Sequence, residues 1–452
     1  MKITAVLLAA GQGVRMKSDL PKVLHPVAGQ AMILHALQAV SQACTEKPVV
    51  IVGHGSDSVR TTIADLAECV VQEEQLGTGH AVQQAESALA GKTDLILVTY
   101  ADMPLLRAGT LKKLVETQQK NPGPLSLLTV ISEDPRGFGR ILRKPDGSVQ
   151  AIVEEAVATP QQLAIKELNV GAYCFSADWL WHTLKHIKLS PRGEYYLTDT
   201  IEAAVQAGLP VVPLLLEDLM ETIGVNTRVQ LAEAEAAMRE RINRKHMLAG
   251  VTMIDPGSTY IEAGVSIGMD TEIWPNTCLR SDTHIGERCV IGPNSIIRDS
   301  QIGNNCKVLA SVLEGALLED NVDVGPFARL RKGAHLCKGV HMGNFGEVKD
   351  STLGEGTKMG HFSYVGNASI ASNVNIGAGT VTCNFDGELK HHTDIGEDVF
   401  IGSDTMLVAP LKIGKRSRTG AGSVVTKDVP DDTLVVGMPA RAIKRLEKKK
   451  DE

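Results

Sequence analysis

The N-terminal segment of the sequence passes from an apolar run into glycines and basic residues. Ile3 to Ala10 form the run, and GQGVRMKSDLPK follows. After a buried strand, such glycines let the backbone approach an anion closely, and Arg15 and Lys22 supply charge that neutralises phosphate. The segment lacks a Walker motif, and a dinucleotide fingerprint would need glycine where Met16 stands. An ordinary glycine turn therefore remains an alternative to a phosphate-binding loop.

Two further segments carry groups suited to a nucleotide. The segment EQLGTGHA, residues 74–81, is a second glycine turn whose hydroxyl and amide groups suit a base or a ribose. Asp102 follows the apolar run LILVTY, where an acid acts either as a helix cap or as a metal ligand. Three such features within one domain favour a nucleotide-binding function.

Short apolar runs alternate with helical patterns up to about Asn226. Continuous runs rich in β-branched residues predict buried strands, and apolar residues three and four apart predict helices between them. The strands are predicted at Pro48–His54, Leu95–Asp102 and Leu125–Val130, and the helices at Ala31–Ala43 and Ala108–Gln119. This alternation predicts a Rossmann-like α/β domain over residues 1–226, with ligands at the carboxyl ends of a mostly parallel sheet.

One long helix is predicted over residues 227–249. Thr227 and Gln230 can form a capping box, and Gly250 is a natural stop. Its apolar face is formed by Leu231, Ala234, Met238 and Ile242. The helix is predicted to link the α/β domain to a second domain over residues 250–452, which ends in a solvated tail, RAIKRLEKKKDE.

Aliphatic residues recur every six positions in the second domain, with a one-residue slip after Ile297. Many are followed by glycine, as in Ile285-Gly286. A period of six fits neither an ordinary strand nor a helix and predicts a parallel β-helix with one inward residue per face. The repeating positions are Ile267, Ile273, Leu279, Ile285, Ile291, Ile297, Ile302, Val308, Leu318, Val324, Leu330, Leu336, Met342, Val348, Ile395, Ile401, Leu407, Ile413, Thr419 and Val425. The spacing does not give the handedness of the coil. The repeat is predicted to fail between Thr382 and Asp394, which should leave the coil as a loop that carries function.

Composition restricts the class of protein. The 452 residues are 43% hydrophobic and 22% charged, with a formal net charge of −7, which offers no basic face for nucleic acid. There is no run of eighteen apolar residues that could span a membrane. The eight cysteines show neither C-x-x-C pairs nor zinc-ligand spacing, which favours a reducing, cytoplasmic location. A secretion signal is an alternative for the first apolar run, but a buried strand explains the same residues better.

The motifs together resemble a known family. Leu8 to Met16 with Pro21-Lys22 match, except at Val14, the L-A-A-G-x-G-[TS]-R-M…P-K signature of sugar-1-phosphate nucleotidyltransferases. The segments QLGTGHA, ADMPL, GFGRI, EYYLTD, GPFARLR, GNFGEVK, NVNIGAGT and GSDTMLVAP are similar to the bacterial bifunctional N-acetylglucosamine-1-phosphate uridyltransferases and glucosamine-1-phosphate acetyltransferases. The resemblance covers almost the whole chain. It implies a left-handed β-helix, a homotrimer and the supply of UDP-N-acetylglucosamine for peptidoglycan and lipopolysaccharide.

For the first domain, the resemblance implies uridylyl transfer from UTP to N-acetylglucosamine-1-phosphate. Asp102 and Asn226 would hold Mg²⁺, which takes few protein oxygens and completes its shell with substrate phosphate and water. Arg15 and Lys22 would neutralise the phosphates, and Gly139, Glu154 and Asn169 would hold the sugar. The remaining implied nucleotide and sugar contacts are Leu8, Ala9, Ala10, Gly11, Gln72, Gly77, Thr78, Tyr100 and Ala101.

For the second domain, the resemblance implies acetyl transfer from acetyl-CoA to glucosamine-1-phosphate. His361 would be the general base, a task that suits a group that titrates near neutral pH. The implied sugar-phosphate contacts are Arg331, Lys349, Tyr364, Asn375 and Lys390, and the implied acetyl-CoA contacts are Ala378, Asn384, Phe385, Ser403 and Ala421. A lone histidine on a β-helix would otherwise be interpreted as a surface residue.

The sequence departs from the family pattern at a few positions. Val14 replaces a hydroxyl residue of the phosphate loop, and Ala101 replaces a glycine before the predicted metal ligand. Ala156 and Val157 stand where lysine and aspartate are common. Phe385 replaces a tyrosine at the predicted acetyl-CoA cleft. Met438 stands where an arginine that contacts the cofactor is expected, and Arg441 is a candidate substitute for it.

Two alternatives stay open on the sequence. In the first, the chain is a monofunctional sugar nucleotidyltransferase and the β-helix is only a scaffold. In the second, it is an assembly subunit that retains the fold without the chemistry. The presence of Lys22, Asp102 and His361 argues against the second.

Overall fold

The computed structural model describes residues 1–53 and 56–445. Its first eleven strands are β1 Ile3–Ala9, β2 Pro26–Val27, β3 Gln30–Ala31, β4 Val49–Gly53, β5 Glu68–Gln72, β6 Leu95–Tyr100, β7 Leu125–Ile131, β8 Arg140–Arg143, β9 Val149–Val153, β10 Glu167–Ser176 and β11 Val211–Leu215. Its α-helices are α1 Met32–Ala43, α2 Asp57–Ile63, α3 Thr78–Gln83, α4 Glu86–Leu89, α5 Ala108–Lys120, α6 Pro160–Leu163, α7 Ala177–Leu184, α8 Asp199–Gln206 and α9 Arg228–Leu248. Short 3₁₀ turns lie at Val14–Met16, Lys22–Leu24, Ala64–Leu66, Glu155–Val157, Leu219–Thr222 and Pro256–Ser258.

The central sheet of the first unit has the strand order β11-β7-β10-β6-β1-β4-β5. Within this order the pairings are parallel except where β10 runs antiparallel between β6 and β7. The sheet also contains β8 and β9, where β8 pairs antiparallel with both β10 and β9. The three strands predicted from the sequence are β4, β6 and β7, and the predicted helices are α1 and α5. His54, which the prediction placed at the end of its strand, lies outside the described residues.

Hydrophobic residues cover both faces of this sheet. Successive side chains of a strand point to opposite faces, so Ala5 and Leu7 join one core while Val6 and Leu8 join the other. Continuous apolar runs are expected when both faces of a sheet are buried. The first apolar run is therefore an inner strand that delivers the glycine segment to the carboxyl edge of the sheet.

The helix predicted over residues 227–249 extends from Arg228 to Leu248. The predicted capping box is present, since the Gln230 amide donates to Thr227 Oγ1 at 3.2 Å and Gln230 Oε1 accepts from the Thr227 amide at 3.1 Å. The chain divides into two compact units, Met1–Met238 and Arg239–Glu452, and the boundary between them lies within this helix. The domain limits at 226 and 249 stay a prediction.

Three sheets form the coil of the second unit, and successive strands of the chain fall on each sheet in turn. Their strands pair in parallel, except that the last two strands of the first face pair antiparallel. Successive coils pair in register, for example Met342 with Met359 and Ile376 with Ile401. The first face contains Thr252–Met253, Glu272–Ile273, Val290–Ile291, Lys307–Val308, Asp323–Val324, His341–Asn344, Lys358–His361, Asn375–Ile376, Phe400–Ile401, Arg418–Thr419, Thr433–Gly437 and Ala440–Arg445. The second contains Tyr260–Ile261, Cys278–Arg280, Ile296–Arg298, Val312–Glu314, Arg329–Leu330, Glu347–Lys349, Tyr364–Gly366, Val381–Cys383, Met406–Val408 and Val424–Val425. The third contains Ser266–Ile267, His284–Ile285, Gln301–Ile302, Leu317–Leu318, Ala334–Leu336, Ser351–Leu353, Ala368–Ile370, Thr393–Ile395 and Leu411–Ile413.

The sixfold repeat gave the inward positions of this coil. Every repeating residue named above is at most 5% exposed except Ile267, which is half-buried and packs against the same core. The prediction of a parallel β-helix is confirmed.

The excursion from the coil is shorter than predicted. Thr382 still occupies an inward position at 1% exposure, where its Oγ1 accepts a hydrogen bond from the Gly366 amide. The next strand begins at Thr393, so only residues 384–392 leave the coil. A buried hydroxyl that finds backbone partners can replace an aliphatic residue, which is why the aliphatic pattern alone placed the limits wrongly.

Among the described residues, none of the helices is both long enough and apolar enough to cross a membrane.

Candidate functional site

The glycine segment after β1 packs against Lys22. Gly13 has φ +65°, and a Cβ there would lie 2.8 Å from the Cβ of Lys22. Glycine removes both the conformational strain and this collision. The turn thereby brings the Lys22 side chain to the carboxyl edge of the sheet.

Lys22 meets two oxygens from distant parts of the chain. Its Nζ forms an ion pair with Asp102 Oδ2 and donates to Asn226 Oδ1 at 3.0 Å. The Val225 amide donates to the carbonyl of Asp102 at 2.9 Å, which fixes the neighbouring Asn226 beside the end of β6. A carboxylate oxygen and an amide oxygen therefore converge on one cation.

These residues lie in a cavity of about 490 Å³. Of the residues predicted for the nucleotide and sugar, all but Arg15 and Ala101 line it. The lining includes Leu8, Ala9, Ala10, Gly11, Lys22, Gln72, Gly77, Thr78, Tyr100, Asp102, Gly139, Glu154, Asn169 and Asn226. This size is in the range of small-molecule sites.

Two polar side chains of the cavity are held by neighbours. Burial raises the pKa of the Glu154 carboxyl, whose Oε1 accepts from Thr198 Oγ1 at 3.0 Å. The Asn169 amide donates to the Tyr173 hydroxyl at 2.7 Å, and the register of β10 shifts between these two residues. Such an irregularity re-aims a side chain, which explains how a sheet residue lines the cavity.

A second group of predicted residues forms a column on the β-helix. Each member comes two residues after an inward residue of the first face, which stacks in register from coil to coil. We call these residues the corner column: Asn344, His361, Ala378, Ser403 and Ala421. His361 is exposed, and its Nδ1 lies 2.6 Å from Asn344 Oδ1. In-register stacking therefore aligns the predicted base with three predicted acetyl-CoA contacts.

Basic residues gather on the neighbouring second face. Arg331 Nη1 donates to Glu347 Oε1 at 3.0 Å, and Lys349 Nζ lies 3.6 Å from Asp350 Oδ2. The nearby Lys349 ammonium lowers the pKa of Lys390, which belongs to the excursion. Like charges held close together form a site that favours an anion.

Tyr364 and Asn384 meet over Gly366. A Cβ at Gly366 would collide with the Tyr364 hydroxyl and lie 2.9 Å from Asn384 Nδ2. Asn384 also donates to Asn367 Oδ1 at 2.7 Å. Glycine at this position therefore leaves room for a predicted sugar contact and a predicted acetyl-CoA contact to approach each other.

Comparisons with known proteins find matches to both domains of the chain. The MobA-like NTP transferase domain family matches residues 5–157, and the bacterial transferase hexapeptide family matches residues 264–299 and 392–427. The curated Bifunctional protein GlmU of Heliobacterium modesticaldum is 47% identical over 98% of this chain and 97% of its own length. The proteins of that name from Shouchella clausii and Streptococcus equi subsp. zooepidemicus are 44% and 45% identical, over 99% and 98% of this chain and 99% and 97% of their own lengths.

The chain belongs to the GlmU family. The prediction of a bifunctional transferase, with a nucleotidyltransferase domain followed by a hexapeptide acyltransferase domain, is confirmed. The predicted left-handed β-helix agrees with the hexapeptide match and the three stacked sheets. Family membership over nearly the full length also disfavours the scaffold and assembly-subunit alternatives.

The structure adds residues that sequence reasoning missed in this GlmU-family chain. Gln75, Phe138, Glu194 and Tyr196 also line the cavity, and Asn344 contacts His361. All five lie in segments that carry the family resemblance, namely QLGTGHA, GFGRI, EYYLTD and GNFGEVK, so these motifs are the sequence signal that points to them.

The departures from the family pattern in the first domain are not among the residues that line the cavity. Val14 is 76% exposed, Ala101 is fully buried, and Ala156 and Val157 belong to a 3₁₀ turn. At the other site, Phe385 is exposed at the start of the excursion.

Proposed function

We propose that the cavity of the first unit transfers a uridylyl group and that the corner column of the second unit transfers an acetyl group. The observation that carries the first assignment is the convergence of Asp102 Oδ2 and Asn226 Oδ1 on the Lys22 ammonium. The observation that carries the second is the contact between His361 Nδ1 and Asn344 Oδ1 within the column.

Magnesium fits the donor set of the first site. Asp102 and Asn226 offer oxygens only, and the Lys22 ammonium shows that both oxygens reach one positive centre. Hard divalent ions bind through one or two such protein oxygens and take the rest from phosphate and water. Bound there, Mg²⁺ would neutralise negative charge on the triphosphate.

The uridylyl step needs no protein nucleophile. An oxygen of N-acetylglucosamine-1-phosphate attacks the α-phosphorus of UTP, and the bond from that phosphorus to the bridging oxygen breaks to release pyrophosphate. Lys22 contributes positive charge, while Glu154 and Asn169, which line the same cavity, orient the sugar. Catalysis therefore rests on positioning and charge neutralisation.

At the second site, Asn344 sets the tautomer of the base. An amide oxygen only accepts, so Nδ1 of His361 carries the proton and Nε2 presents its lone pair. Nε2 takes a proton from the 2-amino group of glucosamine-1-phosphate as that nitrogen attacks the thioester carbonyl. The bond to sulfur then breaks, and CoA leaves as the thiol with the proton that Nε2 took up.

The cations of the second face would bind the phosphate of glucosamine-1-phosphate. Arg331, Lys349 and Lys390 supply this charge, and Tyr364 and Asn375 would orient the sugar. Ala378, Asn384, Phe385, Ser403 and Ala421 would line the acetyl-CoA path. The alignment of three of these residues above His361 supports that path.

We also propose a homotrimer, with a second copy covering an aromatic ladder. Phe327, Phe345 and Phe362 stack on successive coils, with ring centroids 5.4 and 5.0 Å apart, and are 50–62% exposed. Phe345 and Phe362 directly follow Asn344 and His361. An exposed apolar patch beside an exposed base favours a site completed by a neighbouring copy.

A pair of variants tests the division of labour. Purified full-length protein with Mg²⁺, UTP, acetyl-CoA and glucosamine-1-phosphate is expected to yield UDP-N-acetylglucosamine, pyrophosphate and free CoA. His361→Ala should abolish CoA release and leave uridylyl transfer from N-acetylglucosamine-1-phosphate nearly unchanged. Asp102→Asn should do the reverse, losing about a hundredfold or more in uridylyl transfer. Parallel loss of both activities in either variant would contradict the two-site assignment.

A further inference from the structure

Three side chains with metal-binding atoms meet on the third face of the β-helix, outside both proposed sites. His335 Nε2 lies 2.8 Å from Glu319 Oε1 and 3.9 Å from the thiol Sγ of Cys337. One ligand atom from each of the three residues lies within 4.8 Å of the other two. We call this group the Glu-His-Cys cluster.

The register of the coil explains the cluster. Leu336 points inward, so His335 before it and Cys337 after it both face outward. Leu318 pairs with Leu336, which brings the following residue, Glu319, beside Cys337. Glu319 is held in place because its Oε2 accepts from the Lys338 backbone amide at 2.9 Å.

We propose that Glu319, His335 and Cys337 bind a divalent transition-metal ion of the Zn²⁺ type, with a fourth position left to water. Thiolate, imidazole and carboxylate are the ligands such ions accept, whereas Mg²⁺ and Ca²⁺ require oxygens. The separations of 2.8 and 3.9 Å lie on either side of the roughly 3.3 to 3.6 Å that ligand atoms have around a tetrahedral ion, so small side-chain movements would bring the three atoms onto one ion.

Binding changes the protonation of the cluster. The Cys337 thiol releases its proton to solvent and becomes a thiolate ligand. The hydrogen bond between His335 and Glu319 is exchanged for two bonds to the ion, so the proton that Nε2 donates to Glu319 leaves to solvent and the ligating imidazole carries its proton on Nδ1. The side chains of His335 and Glu319 are 32% and 42% exposed, so an ion can enter from solvent.

A neighbouring pair on the first face is a natural control. His341 Nδ1 lies 3.1 Å from Asp323 Oδ2, which places a histidine and a carboxylate on successive coils as in the cluster. Among the described residues, no cysteine joins this pair in a three-ligand group. Comparing this pair with the Glu-His-Cys cluster therefore distinguishes binding of a transition metal from the weaker attraction that any histidine-carboxylate pair has for cations.

Cobalt(II) is the probe, because a thiolate ligand gives it a charge-transfer band in the near ultraviolet. Full-length protein, reduced with a phosphine and freed of metal by a chelator, is titrated with Co²⁺ in excess Mg²⁺, which occupies oxygen-only sites. We expect the band to saturate at one Co²⁺ per chain and to disappear when Zn²⁺ is added.

Variants assign the ligands. Cys337→Ser should abolish the band, and His335→Gln should weaken Co²⁺ binding at least about tenfold. Cys278→Ser, another half-buried cysteine of the β-helix, and His341→Gln should leave the titration unchanged. Cys337→Ser should also keep both transferase activities in Mg²⁺, which shows that it folds.

Absence of the band in the wild-type protein would overturn the proposal, as would its persistence in Cys337→Ser. Either result would leave the two-site transferase assignment unaffected, since that assignment uses none of these residues.

Discussion

Nδ1 of His361 lies 2.6 Å from Oδ1 of Asn344, the residue paired with it on the preceding coil. A parallel in-register sheet stacks equivalent side chains directly, so a 17-residue separation in sequence becomes one hydrogen bond. Asn344 is thereby a positioning residue for the proposed base.

Removing this hydrogen bond should slow acetyl transfer. With Asn344→Ala, the imidazole can carry its proton on either nitrogen and rotate freely, so we expect kcat for CoA release to fall about ten- to a hundredfold. With Asn344→Asp, a carboxylate would favour the protonated imidazole, so the acid limb of the pH profile of kcat should move to higher pH by about one unit. Stopped-time assays of CoA release across pH 5.5–9 measure both effects.

Uridylyl transfer is the internal control for these variants and should be unchanged. A purely structural role for Asn344 would predict loss of stability without the displaced acid limb in Asn344→Asp. An unshifted profile in that variant would refute the positioning role.

Substitution in the aromatic ladder should separate the subunits. Phe345 contacts both neighbouring rings of the ladder. Truncating a central aromatic anchor of an interface costs about 2 kcal/mol or more, roughly thirtyfold in Kd. We expect Phe345→Ser to give smaller species in light scattering and at least about tenfold less acetyl transfer, with uridylyl transfer retained.

Phe400→Ser is the matched control, because Phe400 is 46% exposed on the first face but lies outside the ladder. If Phe345→Ser retained the size and acetyl transfer of the wild-type protein, the ladder would not be an interface.

Asp199 should make the first unit less stable as pH rises. Burial, with smaller contributions from Glu202 and Glu154, raises the pKa of this carboxyl to about 6. The folded state then binds more protons than the unfolded state between about pH 4 and 6, so the free energy of unfolding falls through this window as pH rises. The cost of burying the charged carboxylate is absent below that window and fully present above it.

Asp199→Asn should therefore raise the free energy of unfolding at pH 7.5 but not at pH 4. We expect about 1 kcal/mol, less than the full shift implies, because the side chain is partly exposed and the first turn of α8 favours an anion. Urea unfolding followed by the fluorescence of Trp179 and Trp181 measures it.

Asp178→Asn is the comparison, since exposed Asp178 also lies in the first turn of a helix, α7. Asp178→Asn removes only the favourable interaction of the carboxylate with the N-terminus of α7, so we expect this variant to lower the free energy of unfolding at pH 7.5. Equal effects of the two variants would rule out burial of Asp199 as the cause.

The sequence by itself determined the local patterns of this protein. The period of six identified the inward residues of the coil, because each face repeats the same local geometry. The apolar run and its glycines identified the loop at the end of β1, since a buried strand and a tight turn each have a direct signature in neighbouring residues.

Only the tertiary structure decided which distant side chains meet. The hydrogen bond from the Val225 amide to the Asp102 carbonyl places Asn226 beside Asp102. Strand register brings Asn344 to His361. Register across two coils also brings together Glu319, His335 and Cys337. Register and chain connection, which no single segment encodes, determine these contacts. Distances between side chains far apart in sequence therefore follow from the packed fold and not from local periodicity.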